Sequence, residues 1–453
     1  MQRDAIDLGK LSASRLFRIY FVPTLIGMLS LCGVTAIDGI FIGHGVGSDG
    51  LASVNICVAP TMLIMGIGLM LGVGSSVVAS IHLARENVHA ARLNITQALI
   101  AGTMVTLVFV GITLASPSTT GRLLGSSESL LPLVEEYMPW IFLCTLPQIW
   151  CAIGLFVVRL DGSPKYAMWC NVLPGLVNVV LDYVFIFPLN MGLAGAGIAT
   201  FISILVGGVM VVLYVTIFAD KLKLIKIKST RKSLALSIRN IGYQCRVGIS
   251  ALLGEATMGM LMLMGNVVFM KYMGDNGVGA FSIACYYMPL IFMVGNSIAQ
   301  SAQPIISYNY GLGAHRRVIE TERIAVLVAL ASGLTVTTFF VFFPELMVGL
   351  FLSLDSPAGQ IACNGFPLFA VAFVAYIFNL TAIGYFQSVE NTLPSIVFAL
   401  MRGVLFLVPA YLLMPLIWGQ IGIWLALGVS EILTATSIII YYLYESKFNT
   451  VLK

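Results

Sequence analysis

Asn178-Val-Val-Leu-Asp182-Tyr-Val-Phe-Ile-Phe187 sets an amide and a carboxylate one helical turn apart inside an otherwise apolar run. The run is part of a stretch long enough to cross a bilayer, so its backbone must be helical, with every N–H and C=O satisfied internally. A carboxylate at that depth is expensive to insert and is by default a group that handles an ion or a proton. The chain around it supports this reading. Of 453 residues, 59% are hydrophobic and only 10% charged, against roughly a quarter charged in a soluble domain, and mean hydropathy is +0.97.

Apolar stretches of about 20 or more residues, each enough for one helical crossing, recur along the whole length. Twelve are read, near 17–41, 53–81, 94–115, 136–158, 166–188, 193–217, 246–270, 278–305, 324–344, 363–387, 394–416 and 419–443. The expectation is an all-α integral membrane protein. With the N-terminus inside, 21 Lys and Arg fall on the inside, from Arg3, Lys10, Arg15 and Arg18 through Lys228 to Lys447 and Lys453. Only Arg122 and Lys271 fall outside, and Arg402 is within a span. This bias predicts both termini in the cytoplasm of a plasma (inner) membrane. The net charge of +4 is then a matter of topology and gives no support to a nucleic-acid partner. The basic start runs straight into the first span, so no cleavable signal is expected. Eight cysteines without CxxC or metal spacing read as small apolar residues.

The basic stretch 220–240 divides the chain into 1–219 and 241–453, each with six spans. The halves repeat. Gly47-Ser-Asp-Gly50 aligns with Gly274-Asp-Asn-Gly277 at an offset of 227, and Ile153-Gly154-Leu-Phe156 with Ile383-Gly384-Tyr-Phe386 at 230. The second offset also puts Gly192 on Gly422. Six spans per copy means that the copies run the same way across the membrane, as in transporters built from parallel repeats with substrate between the halves.

Enzyme signatures are missing: there is no P-loop, HExxH or Gly-x-Ser-x-Gly. Gly66, Gly68 and Gly72 follow no strand and read as close helix packing. Chemistry is left to a few intramembrane polar residues. Counting from the turn near Asn190, Asp182 and Thr200 come level on antiparallel helices, with Asn178 one turn below Asp182 and Asp38 in the outer part of the first span. Two carboxylates, an amide and a hydroxyl form a hard-oxygen set suited to Na⁺, or an acid pair that shares a proton. The competing role is backbone capping. Pro23 permits a bend in the first span, with a purely structural kink as the alternative.

In the second half, Glu255 lies deep in the seventh span as a cation-attracting or proton-binding acid, or as a structural hydrogen-bonding group. Arg402 and Glu431 come level on helices either side of the turn near Gly419 and are read as a structural ion pair ahead of a substrate site. Met258, Met260, Met262 and Met264 in one span, and 26 Phe overall, offer surfaces suited to loosely specified organic cations or to lipid.

The sequence resembles the multidrug and toxic compound extrusion (MATE) transporters over essentially its full length. The likeness is carried by Pro23 and Asp38 with Ile37-Asp-Gly-Ile-Phe-Ile-Gly-His-Gly-Val-Gly47, by Asn178-x-x-x-Asp182 with Gly192-Leu-Ala-Gly-Ala-Gly-Ile-Ala-Thr200, and by Gln303-Pro-Ile-Ile-Ser-Tyr-Asn-Tyr-Gly311. The resemblance implies a V-shaped pair of six-helix bundles and export of bulky, often cationic organic compounds by alternating access, driven by H⁺ or Na⁺. It also implies an ion site of Asp38, Asn178, Asp182 and Thr200 with Pro23 as the bend, no cofactor beyond the coupling ion, and no enzymatic activity. Another branch of the family uses acids of the C-terminal bundle. Glu255 falls on one of them, whereas Tyr376 stands where that branch has aspartate, leaving Glu255 and Tyr376 as a substrate or proton site rather than a full ion site. A related alternative, a lipid-linked oligosaccharide flippase, calls for several basic residues lining its cavity, and Arg402 is the single intramembrane candidate. Oligomeric state has no sequence signal.

Overall fold

The computed structural model describes residues 6–227 and 230–451; Arg3, Lys228 and Lys453, counted above among the inside cations, lie outside the described residues. Among those residues the regular structure is entirely helical. The helices are α1 (Ala13–Gly45), α2 (Ser48–Ala84), α3 (Val88–Leu114), α4 (Pro117–Leu123), α5 (Leu131–Leu143), α6 (Thr145–Leu160), α7 (Pro164–Ile186) and α8 (Gly192–Leu213). After the linker come α9 (Arg231–Gly311), α10 (His315–Phe342), α11 (Pro344–Gly349), α12 (Pro357–Phe369), α13 (Val371–Ser388), α14 (Thr392–Leu400) and α15 (Leu407–Val451). Ends are marked as helix chemistry requires. Asn87, Thr230 and Ser356 accept backbone N–H groups with their side chains, and Pro117, Pro164 and Pro357 sit in first turns.

Ten helical runs among the described residues are long and apolar enough to cross a membrane. Two of them are double crossings. Residues 231–311 break at Gly274 (φ 63°, ψ −157°), and 392–445 break at Gly419 (φ 57°, ψ −133°), backbone conformations open to glycine and strained for other residues. Twelve crossings result, and the chain is a multi-pass membrane protein.

The duplication is also written in the backbone. Left-handed residues recur in the turns of both halves: Gly47 and Gly274, Glu86 and Gly313, Gly162 and Glu390, Gly192 and Gly419. By this measure Gly192 corresponds to Gly419 rather than to Gly422, because it is Gly419 that takes the left-handed turn between two spans. Each half also has one crossing assembled from two helices meeting end to end, at Cys144 in the first and at Ala370 in the second.

Two compact units form. The first runs to Leu252 and takes in Ser307–His315; the second is Leu253–Ile306 with Arg316 onward. In the first, α2 lies on α6 through Gly68 and Gly72. A Cβ at Gly72 would stand 2.7 Å from the Ala152 carbonyl oxygen, so bare backbone is what lets the helices meet. A buried core of Val134, Tyr137, Met138, Ile141 and Phe142 from α5 packs with Ile42, Ile186, Leu193 and Ala196. The second unit is held by rings. Trp424 meets Phe269, Phe366 and Phe369 edge-on, and Phe340 joins Tyr287, Phe366 and Phe373.

Candidate cation site

In the first unit α1 and α7 run parallel and close. Gly27 of α1 faces Asn171 of α7, where a Cβ would come within 3.1 Å of the Asn171 amide nitrogen, and Gly175 of α7 faces Val34 of α1. One turn beyond Val34, Asp38 lies beside Asp182, with Asn178 one turn before Asp182 on α7. The chain then turns through Asn190 (φ 49°) and Gly192 (φ 56°), and α8 returns antiparallel to α7 with Gly195 against Phe185 and Gly207 against Pro174. Between those contacts Thr200 comes to the level of Asp182.

Asp182 is 0% exposed and Asn178 5%, while Asp38 and Thr200 are half-buried. Five polar atoms here are buried without a hydrogen-bond partner among the described residues: Asp38 Oδ1, Asn178 Nδ2, both Asp182 carboxyl oxygens and Thr200 Oγ1. Buried polar atoms are nearly always paired, so these five orphans make the cluster the candidate site. Two carboxylates are acceptors only, and they cannot bond to one another unless a proton or a cation lies between them. No group of three or more His, Cys, Asp and Glu that could hold a metal ion occurs among the described residues. With two acids and neutral donors, the set fits H⁺ or Na⁺ better than a tightly held divalent ion.

Tyr137 is a neighbour of the cluster that the sequence did not single out. It is 2% exposed, packs its ring on α8 at Gly197, and lies within electrostatic reach of both Asp38 and Asp182. One aromatic among many in an apolar span carries no signal. Pro23, by contrast, is not part of this cluster: it is buried in α1 fifteen residues before Asp38, roughly 22 Å along the axis, and the helix continues through it.

The second unit holds a different cluster. Arg402 Nε donates to Glu431 Oε1 at 2.8 Å with both side chains buried. Asn379 Nδ2 donates to Glu431 Oε2 at 2.7 Å and to the Glu431 carbonyl at 2.8 Å. The Arg402 guanidinium stacks 4.0 Å from the Tyr376 ring centroid. Glu255 is half-buried and in electrostatic reach of Tyr376. Arg402 lies in a π-helical turn, Met401–Leu405, a local widening of the helix of the kind often found at functional positions. The sequence brought Arg402 and Glu431 together but not Asn379, three residues after Tyr376 on the same helical face.

Comparison with known proteins follows the same lines. The multidrug export protein MepA of Staphylococcus aureus is 22% identical over 435 residues, covering 95% of this chain and 94% of that protein. An FAD transporter of Shewanella oneidensis is 24% identical over 447 residues, covering 94% and 92%. A solved outward-facing multidrug resistance MATE family transporter of the MOP superfamily superposes with a TM-score of 0.88 at 21% identity, over 97% of both chains. The MatE family profile matches twice, at 23–184 and at 251–412, one copy in each half of the sequence. With both repeats matched and the fold shared end to end, this chain belongs to the MatE family of transporters.

Proposed function

We propose that the protein is a secondary active exporter that moves bulky organic, often cationic compounds out of the cell by alternating access, driven by inward H⁺ or Na⁺. Asp38, Asn178, Asp182 and Thr200 bind the coupling ion, and Pro23 lets α1 bend as the site fills and empties. The observation that carries this reading is the set of five orphaned polar atoms at one depth of the first bundle. In a low-dielectric interior the acids demand a positive charge, and that demand is satisfied or renewed as the ion arrives or leaves. No cofactor beyond that ion is required, and the lysine and arginine bias supports a cytoplasmic-membrane protein with both termini inside.

The relatives' stated cargoes, multiple drugs for one and FAD for another, set the substrates to try first. Inverted vesicles containing the protein should accumulate a cationic dye when an H⁺ or Na⁺ gradient is imposed and lose that uptake when the gradient is collapsed. Gradient-independent uptake would overturn the coupling. FAD offered in the same vesicles distinguishes an anionic cargo from a cationic one. A lipid-linked oligosaccharide flippase is disfavoured, since Arg402, the one intramembrane cation read from the sequence, is held by Glu431.

A further inference from the structure

On the outer surface of the first unit, α3, α6 and α8 leave a groove of about 250 Å³. Its walls include Leu99, Thr103, Trp150, Val211 and Leu224. The polar groups of the lining are already paired internally. Trp150 Nε1 donates to Thr103 Oγ1 at 2.9 Å, Thr103 donates to the Leu99 carbonyl at 2.7 Å, and Thr96 Oγ1 accepts from the Ile225 amide at 3.2 Å. The groove therefore presents hydrocarbon. The α3 ridge beside it is exposed, with Ile100 at 49% and Met104 at 61%, as expected of a lipid-facing wall.

One end of the groove is closed by the inter-repeat linker, which is fastened in place. The Asp161 carboxylate accepts the backbone amides of Asp220, Lys221 and Leu222 at 2.9, 3.0 and 3.1 Å, and the Tyr214 hydroxyl at 2.9 Å. Arg92 donates to the Lys221 carbonyl at 2.7 Å and to the Asp220 carbonyl at 3.3 Å. The Leu224 amide bonds to the Val215 carbonyl at 3.1 Å. This fixes Leu224 into the groove wall, and Lys221, Lys223 and Lys226, each within three residues of it along the chain, are exposed, with no ion pair to any of them among the described residues. An apolar slot walled in part by a linker segment that carries three exposed lysines matches one kind of molecule in a bilayer: a lipid whose chain fills the slot and whose headgroup carries net negative charge. A cationic amphiphile would be repelled at the rim, and a zwitterionic headgroup already neutralises its own phosphate.

We infer that this groove is a binding site for an anionic phospholipid of the linker-side leaflet, held by its acyl chain against Trp150 and by its phosphate at Lys221, Lys223 and Lys226. Bound there, the lipid bridges the first bundle and the linker that leads to the second.

Trp150 makes the site measurable. Full-length protein is placed in bilayers doped with brominated-chain phosphatidylglycerol or brominated-chain phosphatidylcholine, and the Trp150 signal is taken as the difference between the wild type and Trp150→Phe. Half-quenching should need about ten-fold less phosphatidylglycerol than phosphatidylcholine, a preference in line with roughly five-fold per juxtamembrane lysine reduced by salt screening. The triple variant Lys221→Gln/Lys223→Gln/Lys226→Gln should bring the two lipids within two-fold of each other. Trp418, 53% exposed in the second unit, isolated in the same way with Trp418→Phe, should show no preference. Equal quenching by both lipids at Trp150, a preference that survives the triple change, or the same preference at Trp418 would each overturn the inference.

Discussion

The Arg402–Glu431 pair allows a test in which structure alone sets the sizes. Arg402→Met removes the 2.8 Å partner of Glu431 and leaves a carboxylate with no solvent exposure whose remaining side-chain partner among the described residues is Asn379. Stripping one partner from a buried ion pair costs about 3–5 kcal/mol. Glu431→Gln strands the guanidinium instead, but the Tyr376 ring 4.0 Å away still offers a cation–π contact of about 2 kcal/mol in a desolvated setting, so this loss should fall at the lower end of that range, near 3 kcal/mol. Changing both leaves no buried charge, keeps a similar volume and still gives the Asn379 amide an oxygen to bond. The double variant is expected within about 1–2 kcal/mol of the parent, since replacing a buried pair whole is often neutral. Equilibrium unfolding in mixed detergent–SDS micelles, followed by tryptophan fluorescence, gives the four corners of the cycle, with a coupling of at least about 2 kcal/mol expected. If the double change equals the sum of the singles to within about 0.5 kcal/mol, the two residues do not stabilise each other and the structural account of the pair is wrong.

Asp182→Asn should abolish drug resistance in cells while leaving expression and the unfolding midpoint near the parent values, because the amide replaces a carboxylate that has no protein partner to lose; resistance at the parental level would sink the ion-site assignment. Asp38→Asn should move the pH profile of transport, measured in vesicles over roughly pH 5–9, since it removes one of two acids that face each other. Glu255→Gln, in the other unit, should change substrate affinity or range and leave the profile in place, and the opposite pattern would transfer coupling to the second half. Gly248→Ala should cost about 1–3 kcal/mol or prevent assembly, because its Cβ would land on the Met70 carbonyl, whereas Gly254→Ala on the same helix meets nothing within 4 Å and should be silent; equal yields of the two in detergent would refute the packing argument.

The crossings were legible because a membrane span is a long, redundant signal: twenty apolar residues tolerate errors at either end without losing the pattern. The repeat was legible too, though its register was set by turns. Gly192 and Gly419 share a left-handed φ that a match of letters placed on Gly422 does not reveal. The joints at Cys144 and Ala370 were not legible, since both residues keep helical angles and nothing in their identity marks a break. Within the candidate site, Asp38, Asn178, Asp182 and Thr200 stood out as polar residues in an apolar setting, where each must be accounted for. Tyr137 and the partner role of Asn379 depend on which faces meet, and that is fixed by contacts such as Tyr137 on Gly197, which no single segment encodes.

Two halves built on one backbone plan bury charged side chains in different ways. The second encloses an acid with its base, and the Arg402–Glu431 pair is neutral as it stands; changing its protonation would break the contact that holds it. The first encloses two acids, Asp38 and Asp182, and among the described residues no cation bonds to either. Under the proposed function that cluster changes its net charge as an ion enters or leaves, and in a water-poor interior each unit of charge is balanced against a desolvation term of several kcal/mol. Conformations of a bistable protein differ by only a few kcal/mol, so occupancy of such a cluster is large enough to decide between them. Proximity to α1 then matters, because Asp38 and Pro23 share that helix: a change in the electrostatics between Asp38 and Asp182 acts on the C-terminal part of a helix whose backbone lacks a hydrogen bond nearer its start. On this reading the duplicated fold supplies the frame, and the departure of one copy from charge neutrality supplies the coupling.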